Sequence, residues 1–200
     1  MGANVLHSES IFPVRSAGIP IRICNTFRPE DAGTYIVRNS TRNKRDYVVT
    51  GIAGKKGFTS ITLEKSLMNG EVGFVGKVLS VIGKYGISFE HLPSGIDTMS
   101  LVIDNVYLKE GLLETLLQEM KEVVQPDKIY AHENISLVAT VGHGMAKNVG
   151  TSARLFKALS EAGINVNMID QGSSELNIIV GVENEDCADC IKAIYREFFN

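Results

Sequence analysis

A chain of 200 residues has room for one medium domain or two small ones. A 44% hydrophobic share and a net charge of −3 suit a soluble globular protein, and the lack of Trp and of any basic stripe interleaved with aromatics speaks against nucleic-acid binding. No apolar run approaches the roughly 20 residues that span a bilayer, "MGANVLHSES" lacks the pattern of a secretory signal, and three cysteines suggest a reducing cytoplasm, not a disulfide framework.

The N-terminal stretch predicts a helix around Val5 to Ala17. The strand "IPIRICNTF" follows, with Ile19, Ile21 and Ile23 on one face, then a turn "RPEDAG" and a short strand "TYIV". This is too little for a domain and reads as the edge of something larger. Residues 38–46, which include "RNSTRNKR", are polar and basic and read as a linker. "YVVTGIA" (Tyr47 to Ala53) is strand-like, and "GKKG" is expected to end it.

From Phe58 the pattern becomes regular. "TSITLEK" alternates, with Ile61 and Leu63 on one face, and a loop "MNGEVG" follows. Val75, Val78, Leu79 and Ile82 mark one face of a helix that Gly86 closes. "ISFEHL" predicts a strand, "PSG" a turn, and Met99, Leu101 and Ile103 one face of the next strand. Leu113, Leu116, Leu117, Met120 and Val124 form a second helical face, and "KIYA" a last short strand. The order is β-α-β-β-α-β. A second unit opens with "ISLVATV", whose Ile135, Leu137, Ala139 and Val141 are expected to face inward. The loop "GHGMAKNVG" leads to a helix marked by Leu155, Phe156 and Leu159. The strands "INVNMI" and Leu176, Ile178, Val180 then precede a helix carrying Cys187, Cys190, Ile191, Ile194 and Phe198. The Cys187/Cys190 pair lies on that apolar face and reads as core packing, since a zinc site needs two more ligands at matching spacing.

The second unit repeats the first. Gly86 and Gly163 are separated by 163 − 86 = 77, and the same offset pairs Met68 with Met145, Val72 with Val149, Gly73 with Gly150, Gly95 with Gly172, Met99 with Leu176 and Leu101 with Ile178. Under this offset the inward faces of the first strands come out of phase, which a one-residue slip or bulge in one copy would repair. The second copy ends one strand short. "YVVTGIA" is expected to cross over and complete it, making the first unit an insertion within the second.

The loop "LMNGEVGFVGKV" joins a strand to a helix. A helix start offers unpaired N–H groups and a positive dipole end, which suits a carboxylate, and Gly70 and Gly73 allow close approach. Glu90 on the neighbouring strand could receive an ammonium, so the two ends of an amino acid could be held. In the second copy Asn148, Asn165 and Asn167 suit a neutral polar ligand, although Asn148 also reads as an N-cap. His7, His91, His132 and His143 lack Cys or Ser partners in the pattern, so no catalytic constellation emerges.

"EVGFVGKVLSVIGKYGISFEHLPSG" resembles the first ACT domain of aspartate kinases, and "GHGMAKNVGTSARLFKALSEAGINVNMIDQGSSELNIIV" resembles their second. "VLHSESIFPVRSAGIPIRICNTFRPEDAGTYIV" resembles the closing segment of their catalytic domain. The resemblance implies an α+β fold of two ferredoxin-like βαββαβ ACT domains, the first inserted into the second, with helices packed on antiparallel sheets. Residues 1–37 would be the catalytic remnant, 38–46 a linker, 47–54 the strand completing the second ACT domain, 55–132 the first and 133–200 the second. It implies an effector site at Met68, Gly70, Glu71, Gly73, Phe74, Val75, Phe89, Glu90, Ser94 and Gly95, where lysine-sensitive relatives often carry His-Ser in place of Gly70-Glu71 and Asp in place of Glu90. A second candidate set is Asn148, Val149, Gly150, Asn165, Asn167 and Gln171. The parent enzyme would phosphorylate L-aspartate with ATP and Mg, under feedback by lysine and/or threonine. This chain would hold no cofactor, would be inactive alone, would bind a free amino acid and would pair as a homodimer through its ACT domains. The alternatives are a ligand-free dimerisation module and an acylphosphatase-like hydrolase, the latter disfavoured because "MNGEVG" has no arginine.

Overall fold

The computed structural model describes residues 6, 8–37 and 47–199. The predicted linker at 38–46 and Val5 of the predicted first helix lie outside them. The chain divides into two compact units, one up to Tyr47 and one from Val48 onward. Among the described residues no helix is long and apolar enough to cross a membrane.

The first unit consists of α1 (Ser8–Ser16) and a small antiparallel pair, β1 (Ile21–Ile23) and β2 (Thr34–Ile36), with Ile21 opposite Ile36. Arg22 closes the connection. Its guanidinium donates to the carbonyls of Ala32 and Asp31 at 3.1 and 3.2 Å and lies 5.7 Å from the Tyr35 ring centre. The predicted strand is longer than the observed one because Asn25 turns the chain, its side chain accepting the Phe27 N–H at 3.0 Å.

The second unit runs β3 (Gly51–Glu64), α2 (Phe74–Lys84), β4 (Thr98–Asp104), α3 (Leu112–Val124), β5 (Lys128–Val141), α4 (Thr151–Glu161), β6 (Met168–Asp170), β7 (Asn177–Glu183) and α5 (Cys187–Phe199). All its strands join one antiparallel sheet in the order β4-β3-β5-β7-β6. The sheet is two ferredoxin-like sheets fused through their longest members. Residues 58–64 of β3 pair with β4, while residues 51–56 pair with Val141 to Ser136 of β5. The segment completing the second sheet is therefore Gly51–Lys56, later than the expected Tyr47–Ala53. "GKKG" does not end the strand; the register shifts between Lys56 and Ser60, and β3 continues. "KIYA" likewise continues without a break into "ISLVATV" as β5.

Each half covers one face of the sheet with two helices. In the first, Val78 and Ile82 of α2 and Leu116 and Met120 of α3 pack on Ile61, Leu63, Leu101 and Ile103. In the second, Leu155 and Leu159 of α4 and Cys187, Cys190 and Ile194 of α5 pack on Val138, Ile178 and Val180. At Gly54 an added Cβ would lie 2.7 Å from the Cδ1 of Ile191, so α5 sits directly on the crossed-over strand. Burial pushes the Cys190 thiol up to about 12, aided by the nearby charges of Cys187 and Asp186.

The reverse face forms a third core: Phe58, Val102, Ile135, Leu137, Ala139 and Ile179. This corrects the predicted inward face of "ISLVATV". Ile135, Leu137 and Ala139 point away from the helices, Val141 is exposed, and Val138 takes the place that Ile61 has in the first half. No slip separates the two first strands. From Ile135 to Thr140 both faces of β5 are buried, so its apolar run carries no usable alternation. The reverse face is covered because the sheet curls until its margins touch. His91 Nδ1, beside β4, lies 2.7 Å from Asp170 Oδ2 on β6.

Two further expectations change. "ISFEHL" is not a regular strand; only 90–94 pair with β4, through bridges at His91 and Ser94, and Pro93 contributes a carbonyl but no donor. The third strands are not 77 apart. Phe58 faces Asp104 and Ile135 faces Glu183, giving 183 − 104 = 79. Met99 thus matches Ile178 and Leu101 matches Val180, with two extra residues in the turn before β7. An even insertion leaves every side chain on its original face.

Candidate functional site

Both strand-to-helix loops end on a left-handed glycine that caps the following helix, Gly73 (φ 81°) before α2 and Gly150 (φ 91°) before α4. Neither helix has a side-chain cap, so first-turn N–H groups remain for solvent or a ligand. The two mouths are otherwise unlike.

In the first half the mouth is occupied by its own side chains. Met68 and Phe74 are buried and belong to the core. Glu71 is gripped on both oxygens, by Lys65 at 2.6 Å and Lys77 at 2.8 Å. These two ammonium groups hold its carboxyl below the usual range, Lys65 contributing most. Lys65 also donates to the carbonyl of Val124 at 2.6 Å and lies 5.4 Å from the Phe74 ring centre. The loop is fastened further by Asp127, which accepts the N–H and hydroxyl of Ser66 at 2.7 and 2.8 Å, and by Asp97, which accepts the Leu67 N–H at 2.8 Å. Gly95 closes the neighbouring turn through its N–H to Thr98 at 2.7 Å, and Ser94 bridges to Met99. Val75 is half-buried against the core, and Gly70 ends the 3-10 turn that Met68 begins. Phe89 and Glu90 are exposed. The charge of Glu90 is felt at Lys55, whose ammonium is raised chiefly by its bond to Asp104.

In the second half the equivalent place is open. A pocket of about 250 Å³ is lined by Met145, Lys147, Asn148, Val149, Thr151, Ser152, Gln171 and Glu175. Offset by 77, Thr151 and Ser152 stand where the first half has Phe74 and Val75, and Asn148 where it has Glu71. Two small hydroxyl residues in place of a phenylalanine and a valine leave the cavity. Its floor is polar: Thr151 Oγ1 donates to the Asn148 carbonyl at 3.1 Å, and Ser152 Oγ donates to Gln171 Oε1 at 3.4 Å. The rim is held by the Lys147 N–H donating to Glu175 Oε2 at 2.6 Å, between two residues in the left-handed region. Of the second predicted set, Asn148, Val149 and Gln171 line this pocket and Gly150 caps its helix. Asn165 is exposed and outside it, and Asn167 is spent on the sheet, its amide donating to Glu183 at 3.3 Å. Lys147, Thr151, Ser152 and Glu175 escaped sequence reasoning. The repeat offset alone points to Thr151 and Ser152.

A family model described as "ACT domain" matches residues 138–198. The chain is 38% identical over 198 residues to Aspartokinase 3 of Bacillus subtilis (strain 168), covering 99% of this chain and 43% of that protein. It is similar, at 52% identity and a TM-score of 0.92, to the crystal structure of Clostridium acetobutylicum aspartate kinase, covering 99% of this chain and 46% of that one. A third neighbour is E. coli aspartokinase III in complex with lysine and aspartate, at 23% identity and a TM-score of 0.78, with 98% of this chain and 42% of that one covered; it supports the fold. The chain spans less than half the length of these relatives. Fold and family model together define a chain of two ACT-type βαββαβ units, the second of them matched by the family model. More narrowly, the chain is similar over nearly its whole length to the aspartokinases, of which it spans less than half.

Proposed function

We propose that this chain is the effector-sensing region of an aspartate kinase, binding free lysine, and threonine beside it, to bring about feedback inhibition. The parent enzyme would transfer the γ-phosphate of ATP, with Mg, to L-aspartate, giving 4-phospho-L-aspartate for lysine, threonine and methionine synthesis. The observation that carries this reading is the pair of repeat-related helix mouths, each behind a left-handed glycine and each beside groups able to hold a zwitterion. In the first, Glu71 already receives two ammonium groups from within the chain, the chemistry that a lysine side chain would exchange with. In the second, hydroxyl and amide groups around about 250 Å³ suit a smaller polar amino acid. Inhibition would follow from differential affinity: the effector binds one arrangement of paired ACT domains better and shifts the population toward it, with a coupling of about 1–3 kcal/mol. Val72 and Val149, 96% and 99% exposed at equivalent loop tips, supply apolar contacts for pairing with a second copy.

Titration calorimetry with L-lysine, L-threonine and L-methionine tests the proposal. A true effector at about 100 times its dissociation constant stabilises by about 2.7 kcal/mol, which thermal melting reads. Saturable heat with lysine, weakened by Glu90→Ala or Glu71→Ala, is the expected result. No heat and no melting shift with any amino acid, from a chain that still dimerises, would replace this reading with that of a ligand-free pairing module.

A further inference from the structure

The two longest strands turn a corner at equivalent places. Gly57 in β3 (φ 89°) and Asn134 in β5 (φ 63°) both adopt the left-handed conformation and stand 134 − 57 = 77 residues apart. Asparagine is among the few side-chain-bearing residues that visit this region readily. Two residues further on, Thr59 and Ser136 are fully buried, and each donates its hydroxyl to an asparagine just past the end of a neighbouring strand. Thr59 reaches Asn105 Oδ1 at 2.7 Å, and Ser136 reaches Asn184 Oδ1 at 2.7 Å. Each repeat thus contributes one hydroxyl–amide clasp to the waist where its half of the sheet meets the other.

The clasps are unequal. The Asn184 side-chain oxygen also accepts the Gly57 N–H at 3.4 Å, and the Asn184 main-chain N–H donates to the Asn134 carbonyl at 2.8 Å. One residue therefore holds both bends. Two ion pairs flank the waist, Lys55 with Asp104 and His132 with Glu183 at 2.8 Å, but Lys55, His132 and Glu183 are solvent-accessible and such pairs add little. Asn184 also stands just ahead of α5, the helix seated on β3 at Gly54.

We infer that Asn184 is a latch fixing the angle between the two halves, so that a displacement begun in one is passed to the other through the paired bends and α5. The latch is a positioning device, and it works without any ligand. Its test is accordingly independent of the effector reading: hydrogen exchange followed residue by residue on the whole chain and on four variants. Asn184→Ala speeds exchange about tenfold at both Gly57–Thr59 and Asn134–Ser136, as expected for lost buried bonds, while amides facing the two helical cores stay within about twofold. Asn184→Asp keeps the accepting oxygen and restores protection. Asn105→Ala loosens the Gly57–Thr59 bend alone. If Asn184→Ala does not fold, Ser136→Ala removes one of the three bonds and gives a smaller rise confined to the second bend. The latch is overturned by uniform loss of protection across both cores, by Asn184→Asp behaving like the alanine variant, by Asn105→Ala opening both bends, or by no local change in Ser136→Ala.

Discussion

Gly142 offers the sharpest test of how the entering chain seats on the second half. A Cβ built there would lie 2.2 Å from the carbonyl oxygen of Val48, 3.0 Å from Val49 Cα and 3.1 Å from Thr50 N. All three are backbone atoms, so no side-chain rotation relieves the contact. Gly142→Ala forces the segment 48–50 back by about 1 Å in a close-packed region. That strains the Thr50 N–H bond to the Val141 carbonyl, now 2.8 Å. Overpacking costs about 1–3 kcal/mol and the weakened bond about 1 more, so the variant should lose about 2–4 kcal/mol. For a chain of this size the melting temperature would fall by about 5–15 °C. The first half explains why the glycine is needed here and not there. Its counterpart is Lys65, whose N–H bonds Asp97 at 2.8 Å just as Gly142 bonds Leu176 at 2.9 Å, and its side chain runs clear to Val124. Urea denaturation followed by circular dichroism measures the loss. Gly51→Ala is the control, because its Cβ meets only the Val141 methyl at 3.3 Å and should cost under about 1 kcal/mol. Gly142→Ala within about 0.5 kcal/mol of the parent chain, or no worse than Gly51→Ala, would refute the reasoning.

Acid should weaken the fold in a defined window. Two ammonium groups lower Glu71, and the Ser66 N–H and hydroxyl lower Asp127. For Asp104 burial pushes upward, but the Lys55 bond and the Val106 N–H together outweigh it, and the carboxyl ends below its ordinary value. Carboxyls depressed on folding stabilise above their unfolded pKa and lose that contribution as pH falls through the folded one, so the urea midpoint should hold from pH 7 to about 5 and drop below about 4; a midpoint unchanged at pH 3 contradicts this. Thiol titration should find one reactive group, exposed Cys24, in the native chain and three in urea, because Cys187 and Cys190 are buried; prompt reaction of three native thiols would mean the α5 face is not packed. Thr151→Phe, which copies Phe74, should fill the second-half pocket and abolish any amino-acid binding there while leaving the first mouth unaffected, as calorimetry would show.

Much of this architecture could be read before any coordinates. The helical faces, the capping glycines and the duplication follow from spacings that a packed βαββαβ unit requires. What stayed hidden has physical causes. Burial on both faces of β5 erased the alternation that would have oriented Ile135 to Ala139. "GKKG" looks like a terminator, yet Gly57 serves as the bend of a continuous strand. The offset changes by two residues across the turn before β7, a change that strand periodicity conceals. At the sites, the contrast of Phe74 and Val75 with Thr151 and Ser152 was available from the repeat. The grip of Lys65 on Glu71 was not, because the pair meets only when the loop doubles back.

The shared strands also bear on how such a molecule can be divided. Deleting everything after His132 would strip Gly51–Lys56 of its neighbours and leave a bare ladder of donors and acceptors, an invitation to aggregate. Removing the inserted repeat would sever the other half's edge from the chain that delivers it. A duplication that began as two modules has become indivisible, and any working excision must carry both copies or neither.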